Sequence, residues 1–253
     1  MKQNKIYKMK KKNLVYGIRP ILELLETAKE VDKILMQKGS KGDTIKHILD
    51  TAKNRNIPVQ MVPVERLNRI TRANHQGLIA FISPIEYQDI TQIIPSIFEN
   101  GETPFIVVLD RITDVRNFGA ICRSAECAGA HAIVIPQNNS AQINEDAIKT
   151  SAGAIHRIPI CREFSLSRTL YFLKNSGLLL YGISEKSDET IYNADMKVPL
   201  ALVMGNEGEG IANEYFKYFD KTIKIPMKGN IQSLNVSVAT GIAMFELVRQ
   251  RMK

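Results

Sequence analysis

Ile225-Pro226-Met227-Lys228-Gly229-Asn230-Ile231-Gln232-Ser233-Leu234-Asn235-Val236-Ser237 is the stretch whose reading decides the fold. It predicts a strand ending at Ile225, an irregular loop carrying Pro226 and Gly229, and a long amphipathic helix beginning directly after Ser233. A strand end leaves carbonyls unpaired and a helix start leaves N–H groups unpaired, so this junction points free backbone groups at a ligand. Ser233 is the expected N-cap. Beyond it Leu234, Val238, Ile242, Phe245 and Val248 recur at helical spacing and predict one core-facing apolar stripe. A capped terminal helix with a core face would explain these features alone, but a second loop of the same kind lies upstream.

That loop is Gly205-Asn206-Glu207-Gly208-Glu209-Gly210, between the apolar run Leu200 to Met204 and a short helical pattern from Ile211. Its glycines permit positive φ and close approach of the backbone to a ligand. The order G-x-x-G-x-G is neither the dinucleotide fingerprint nor a phosphate loop, so by itself it is compatible with a plain tight turn. No phosphate loop occurs anywhere in the chain, which argues against ATP use.

Further upstream, Phe105 to Leu109 reads as a buried strand, and Asn117-Phe118-Gly119-Ala120-Ile121-Cys122-Arg123 as the opening of a helix with Asn117 as its cap. An Arg on the first turns of a helix opposes the macrodipole and has to find compensation elsewhere. A solvated Arg is the competing reading.

In this order the three motifs resemble the SpoU (TrmH) branch of the SPOUT methyltransferases, which transfer methyl groups from S-adenosylmethionine to ribose 2′-hydroxyls in RNA. The resemblance rests on Asn117-x-Gly119-x-x-x-Arg123, Gly205-Asn206-Glu207-Gly208, Ile225-Pro226-Met227 and Ser233-Leu234-Asn235, and it extends through most of residues 103 to 253. The N-terminal part is similar to the substrate-binding domain of the family's 23S ribosomal RNA guanosine enzymes. The resemblance implies a C-terminal α/β domain with a mostly parallel sheet and a deep trefoil knot, and a homodimer formed through Asn235 to Arg249 and the helix after Asn117. It also implies that the backbone of Gly205, Ile225 and Leu234 holds the adenosine part of S-adenosylmethionine, with Met227 packing nearby. Asn117, Glu207, Ser233 and Asn235 are expected to shape the reacting end. Arg123 is expected to manage the ribose oxygen; a guanidinium stays protonated, so its role is electrostatic rather than that of a base.

Length and composition agree with this reading. A chain of 253 residues suffices for two domains. No apolar run approaches a membrane helix and the lysine-rich start lacks the apolar region of a signal peptide, so a cytoplasmic protein without a membrane partner is expected. The net charge of +8 suggests a polyanionic partner, RNA rather than DNA by the resemblance. Lys2, Lys5, Lys8, Lys10, Lys11 and Lys12 lie in the basic stretch 1–13, a candidate flexible tail for phosphate contacts or for solubility. Cys122, Cys127 and Cys161 show neither a CxxC pattern nor a His cluster, so reduced thiols and no metal are expected.

Residues 14–84 alternate helix-like Pro20 to Ala28, strand-like Lys33 to Met36, helix-like Thr44 to Ala52, strand-like Pro58 to Val62, helical Val64 to Ile70 and strand-like Leu78 to Ile82. This is a small α/β sandwich, similar to the family's L30e-like RNA-binding domain. Relatives carry His where this chain has Arg19, and share His75-Gln76-Gly77, read here as a structural turn more than an RNA contact. Residues 85–102, with Pro95, Gly101 and one short helix from Thr91 to Glu99, read as an interdomain linker. In 103–253, strands near Phe105 to Leu109, His131 to Ile135, Arg157 to Ile160, Leu178 to Ile183, Leu200 to Met204 and Thr222 to Ile225 alternate with helices. That pattern predicts a mostly parallel sheet covered on both faces. Transfer RNA is the competing substrate, a non-catalytic RNA-binding adaptor the competing non-enzyme, and a nucleotide-dependent oxidoreductase the competing enzyme class, which the missing dinucleotide fingerprint disfavours.

Overall fold

The computed structural model describes residues 13–231 and 233–252. The basic stretch 1–13 lies, but for Asn13, outside the described residues. The chain divides into two compact units, residues 1–86 and 87–253.

The first unit is a four-stranded sheet in the order β1 (Leu14–Tyr16), β4 (Leu78–Ile82), β2 (Val31–Gln37), β3 (Val59–Val62). β4 runs antiparallel to β1 and β2, and β2 runs parallel to β3. Alternation of side chains along β2 and β4 gives the sheet two apolar faces. On one, Ile34, Met36, Leu78 and Ala80 pack with Ile21, Leu24, Ile45 and Ile48 from α1 (Ile18–Leu25) and α2 (Asp43–Asn54). On the other, Leu35, Val62 and Ile79 meet Leu67 of α3 (Val64–Ile70). The expected helix at Pro20 begins two residues earlier, because Gly17 at φ +94° turns the chain and the Gln76 Oε1 accepts from the Ile18 N–H at 3.0 Å.

The second unit holds six parallel strands in the order β10 (Lys221–Ile223), β8 (Leu179–Ile183), β9 (Leu200–Met204), β5 (Phe105–Leu109), β6 (Ala132–Pro136), β7 (Ile160–Glu163). Every residue of β5 and β9 is buried, as a parallel sheet covered on both faces requires. One cover consists of α4 (Ile90–Glu99) and α7 (Leu166–Asn175), whose Ile90, Ile94, Ile97, Leu166, Leu170 and Leu173 pack with Ile106, Val108, Val134 and Val203. α4 occupies most of the 85–102 stretch read as a linker. Its three buried isoleucines make it part of this core, with Asp89 accepting from the Thr91 N–H as its cap. Towards the other face, α5 (Val115–Cys127) packs against α6 (Glu145–Thr150) and α8 (Val236–Arg251). A Cβ on Gly119 would fall 2.8 Å from the Ala147 carbonyl oxygen, so the α5–α6 contact is one only glycine permits.

The strand expected at Arg157 to Ile160 begins only at Ile160. A 3₁₀ turn over Ala154–His156 precedes it, the N–H groups of Arg157 and Ile158 close back on the Ala154 carbonyl, and Pro159, which has no N–H, offers its carbonyl to Ile133. The last helix departs from expectation in two ways. Its cap is Asn235, which accepts from the N–H groups of Ser237 at 2.9 Å and Val238 at 3.4 Å, and not Ser233. Its buried side is Val236, Thr240, Ala243, Met244 and Leu247, while Val238 and Phe245 of the expected core stripe are 50% and 49% exposed. Thr240 sits inside the buried row because its hydroxyl donates to the Val236 carbonyl at 2.6 Å, so it needs no water. At the end of α8, Arg251 donates to the carbonyls of Met196, Val198, Thr103 and Pro104, fastening the helix to the entry of β5.

Candidate active site

Along the chain the sheet grows from β5 outward through β6 and β7, then crosses to β8 on the other side, and β9 enters between β8 and β5. Such a reversal leaves a crevice at the carboxyl ends of the strands, where open α/β sheets bind ligands. Here the crevice is a cleft of about 370 Å³ walled by the segments that follow β8, β9 and β10. Gly205, Glu207, Ile225, Met227, Ser233 and Leu234 all line it.

The loop after β9 is held by its own polar groups. Asn206 Oδ1 accepts from the N–H of Gly208 at 2.9 Å and of Glu209 at 2.7 Å, and the Gly210 N–H closes the turn on the Asn206 carbonyl at 3.0 Å. A Cβ on Gly205 would lie 2.0 Å from the Gly210 carbonyl carbon, so the crossing demands glycine there. Below the loop, Asp110 is almost fully buried and accepts from the Ala212 N–H at 2.8 Å. Arg111 bonds Asp110 at 3.1 Å, the Gly210 carbonyl at 3.1 Å and the Glu209 carboxylate. The Asp110 hydrogen bond, more than that of Glu209, raises the guanidinium pKa further above its ordinary value.

Glu207 projects from this loop and gathers the other two. Its Oε1 accepts from Asn117 Nδ2 at 2.9 Å and Asn235 Nδ2 at 2.7 Å, and Asn235 Nδ2 also reaches Asn117 Oδ1 at 3.0 Å. Three residues from three distant parts of the sequence thus form one hydrogen-bonded triangle. Asn117 is available because it does not cap α5. Asp114 does, accepting from the N–H groups of Arg116 at 2.9 Å and Asn117 at 2.8 Å, and its charge suits a helix N-terminus. Asn235 serves both purposes, its Oδ1 capping α8 and its Nδ2 holding Glu207.

Arg123 lies past the midpoint of the 13-residue α5, so the expected conflict with the helix dipole does not arise. It is exposed and does not line the cleft, and its side chain makes no hydrogen bond or ion pair with another described residue. Cys122, one residue before it, is fully buried, and burial pushes its thiol far above the ordinary range. Burial, with Glu163 and Asp89 adding, pushes Cys161 up to about 12. Neither thiol can act as a nucleophile at neutral pH.

The sequence reading missed Asp114, the Asp110–Arg111 support and the segment after β8, where Ser184, Glu185 and Lys186 also line the cleft. An Asp three residues before Asn117 is a visible capping signal. For the other two, nothing in the local pattern distinguishes them from ordinary loop residues. Backbone groups are free where the junction motif implied. Lys224 still pairs with the 189–191 segment, and beyond it the backbone of Ile225, Met227 and Leu234 makes no hydrogen bond among the described residues.

Comparison with known proteins agrees with this architecture. Residues 104–245 match the SpoU rRNA Methylase family, and residues 14–88 match the RNA 2'-O ribose methyltransferase substrate binding family. The chain is 37% identical over 241 residues to the 23S rRNA (guanosine-2'-O-)-methyltransferase RlmB of Escherichia coli (strain K12), covering 94% of this chain and 98% of that protein. The crystal structure of the SpoU methyltransferase AviRb from Streptomyces viridochromogenes in complex with AdoMet matches at 25% identity and TM-score 0.61, covering 94% of this chain and 90% of that one. The A. aeolicus TrmH/SpoU tRNA modifying enzyme matches at 30% identity and TM-score 0.55, covering 64% of this chain and 83% of that one. With a sheet whose strand ends gather three separated motifs around one cleft, and with most of its length matched, this chain belongs to the SpoU rRNA methylase family.

Proposed function

We propose that the chain methylates the ribose 2′-hydroxyl of a guanosine in 23S ribosomal RNA, with S-adenosylmethionine as methyl donor. The observation that carries this reading is the Glu207 triangle with Asn117 and Asn235, standing beside the cleft lined by Gly205, Ile225, Met227 and Leu234.

The cleft fits the donor on three counts. Its volume is that of a small-molecule site. Its lining combines apolar Ile183, Met204, Ile225 and Leu234 for an adenine ring with the free backbone groups of Ile225 and Leu234 for the ring's polar edge. Its acids, Glu185, Glu207 and Glu209, suit a cationic ligand. When bound, the donor supplies an electrophilic methyl on a sulfonium centre. The protein's part is positioning, because reacting atoms have to be held about 3 to 3.5 Å apart and in line. Glu207, with Oε1 fixed by Asn117 and Asn235, keeps Oε2 for a ligand, and Ser233 adds a hydroxyl to the wall. Arg123 grips the target phosphate or hydroxyl and stabilises negative charge developing on the ribose oxygen, the proton leaving to phosphate or water.

Ribosomal rather than transfer RNA is favoured by coverage. The tRNA-modifying structure spans 64% of this chain, whereas the 23S rRNA enzyme spans 94% and includes the counterpart of residues 14–88. The exposed Val238 and Phe245 on α8 suit the homodimer expected through this helix and α5. The trefoil knot belongs to the same reading, as does action in the cytoplasm. No described helix is long and apolar enough to cross a membrane. The test is transfer of labelled methyl from S-adenosylmethionine to 23S rRNA and to tRNA, with the modified nucleotide mapped. A 2′-O-methylguanosine in 23S rRNA is expected; labelling of tRNA alone, or of neither RNA, overturns it.

A further inference from the structure

Four ionic side chains line the cleft, and the structure separates them into two pairs. Glu207 is engaged by Asn117 and Asn235, and Glu209 by Arg111. Glu185 and Lys186 are exposed and have no side-chain partner among the described residues. They are neighbours of opposite charge, yet they do not pair with each other.

Both sit at the centre of a turn fixed at its two ends. The Ser187 N–H closes on the Ser184 carbonyl at 3.2 Å, and the Lys186 N–H bonds Ser184 Oγ at 3.3 Å. The Ser184 N–H reaches the Ile223 carbonyl at 3.0 Å and Ser187 Oγ the Thr222 carbonyl at 2.5 Å, so both serines tie the turn to β10. Ser184 and Ser187 are buried, whereas the two central residues are exposed and line the cleft.

Position in the sheet says which half of the donor this turn meets. The Asn117–Glu207–Asn235 triangle and Arg123 belong to the β5 side of β9, and the turn belongs to the β8 side. The apolar wall made by Ile183 and Ile225 also lies at β8 and β10. Adenine is the flat apolar part of the donor, so its nucleoside half belongs against this wall, away from the reacting methyl. A nucleoside offers a vicinal diol, and a carboxylate at a strand's carboxyl end is a well-suited acceptor for ribose hydroxyls.

Resting on the donor reading above, we propose that Glu185 is a cofactor-binding residue that accepts hydrogen bonds from the ribose hydroxyls of the methyl donor. Its carboxylate is held in readiness by the Ser184–Ser187 turn. The test measures calorimetric binding of S-adenosylhomocysteine, of 5′-methylthioadenosine, which lacks the amino-acid end, and of its 2′,3′-dideoxy counterpart. Full-length wild-type protein is compared with Glu185→Ala and Glu185→Gln. Both substitutions are expected to weaken the first two ligands by about tenfold, in equal measure, and to leave the dideoxy compound unchanged. An unchanged thermal midpoint without ligand separates this from a folding defect. Loss confined to S-adenosylhomocysteine assigns Glu185 to the amino-acid end and overturns the proposal, as does an equal loss for the dideoxy compound or no loss at all. If the wild-type protein binds none of the three, the donor reading itself fails.

Discussion

Two polar junctions in this molecule are built from similar residues and come to opposite ends. In the first unit, His75 is buried, accepts from the Gly77 N–H at Nδ1 at 3.0 Å and, with its proton on Nε2, donates to Asn68 Oδ1 at 2.9 Å. Its neighbour Gln76 spends its Oε1 on the first N–H of α1. The Gly77 contact closes the turn on itself, the Asn68 contact ties it to α3 and the Gln76 contact ties it to α1. In the second unit, Glu207 draws three loops together through one oxygen, remains exposed, and stands on a cleft with Arg123 unpaired on the adjoining helix. Buried His75 has both ring nitrogens engaged and stabilises the fold, whereas exposed Glu207 keeps hydrogen-bonding capacity beside a cavity.

The sharpest way to break this contrast is Arg123→Ala. By analogy with losing an oxyanion donor it should slow methyl transfer by about 2.7 to 4 kcal/mol in the transition state, with donor affinity and thermal midpoint unchanged. Near-normal turnover in single-turnover assays would remove Arg123 from the mechanism. Gly205→Ala comes next, because its Cβ meets backbone at 2.0 Å. Overpacking of this kind costs about 1 to 3 kcal/mol, read by chemical denaturation, and should abolish donor binding through the displaced loop. A variant of wild-type stability and affinity would contradict the crossing described here.

His75→Ala leaves the Gly77 N–H and Asn68 without their partner and should cost about 1 to 3 kcal/mol of stability. Its effect on RNA affinity, measured below the unfolding transition, should be small. An RNA-binding loss with no stability loss would turn the first junction into a ligand site and undo the contrast. The smallest expected effect concerns Glu246, whose pKa is lowered by its hydrogen bond to Arg249 first and also by Gln250. Stability from a depressed carboxylate is present above its unfolded pKa, about 4.3, and is lost as pH falls through the lower folded value. Glu246→Gln should therefore lower the thermal midpoint slightly at neutral pH and converge with the wild type as pH falls below about 4.3, which flattens part of the acid decline.

Much of the framework was legible in the sequence, for identifiable reasons. The strands Leu78–Ile82, Phe105–Leu109 and Leu200–Met204 and the helix Val64–Ile70 have the bounds that pattern alone predicts. An uninterrupted apolar run between turn residues has few alternatives. The three loop motifs were legible as well, because glycines and cap-forming residues at strand ends announce themselves locally. Which residue caps each helix was not. Asn117 and Ser233 are both competent caps, but Asp114 and Asn235 hold those positions, and Asn117 is committed to Glu207 some ninety residues away.

The last helix shows the same division. Its apolar residues make two rows, and only packing against β9 and α5 selects the one containing Val236, Ala243 and Leu247 for burial. α4 read as linker because its polar residues and Pro95 obscured a row of isoleucines that the sheet buries. By itself, then, the sequence determined most of the elements, the parallel class of the second sheet and the loop motifs that meet beside the cleft, since these follow from local spacing and from backbone geometry at strand ends. Only the tertiary structure decided which face of α8 is covered, which side chains cap and which are free, and that Glu207 is the meeting point. Each of those outcomes depends on competition among groups brought together by strand order, and no local pattern records who wins.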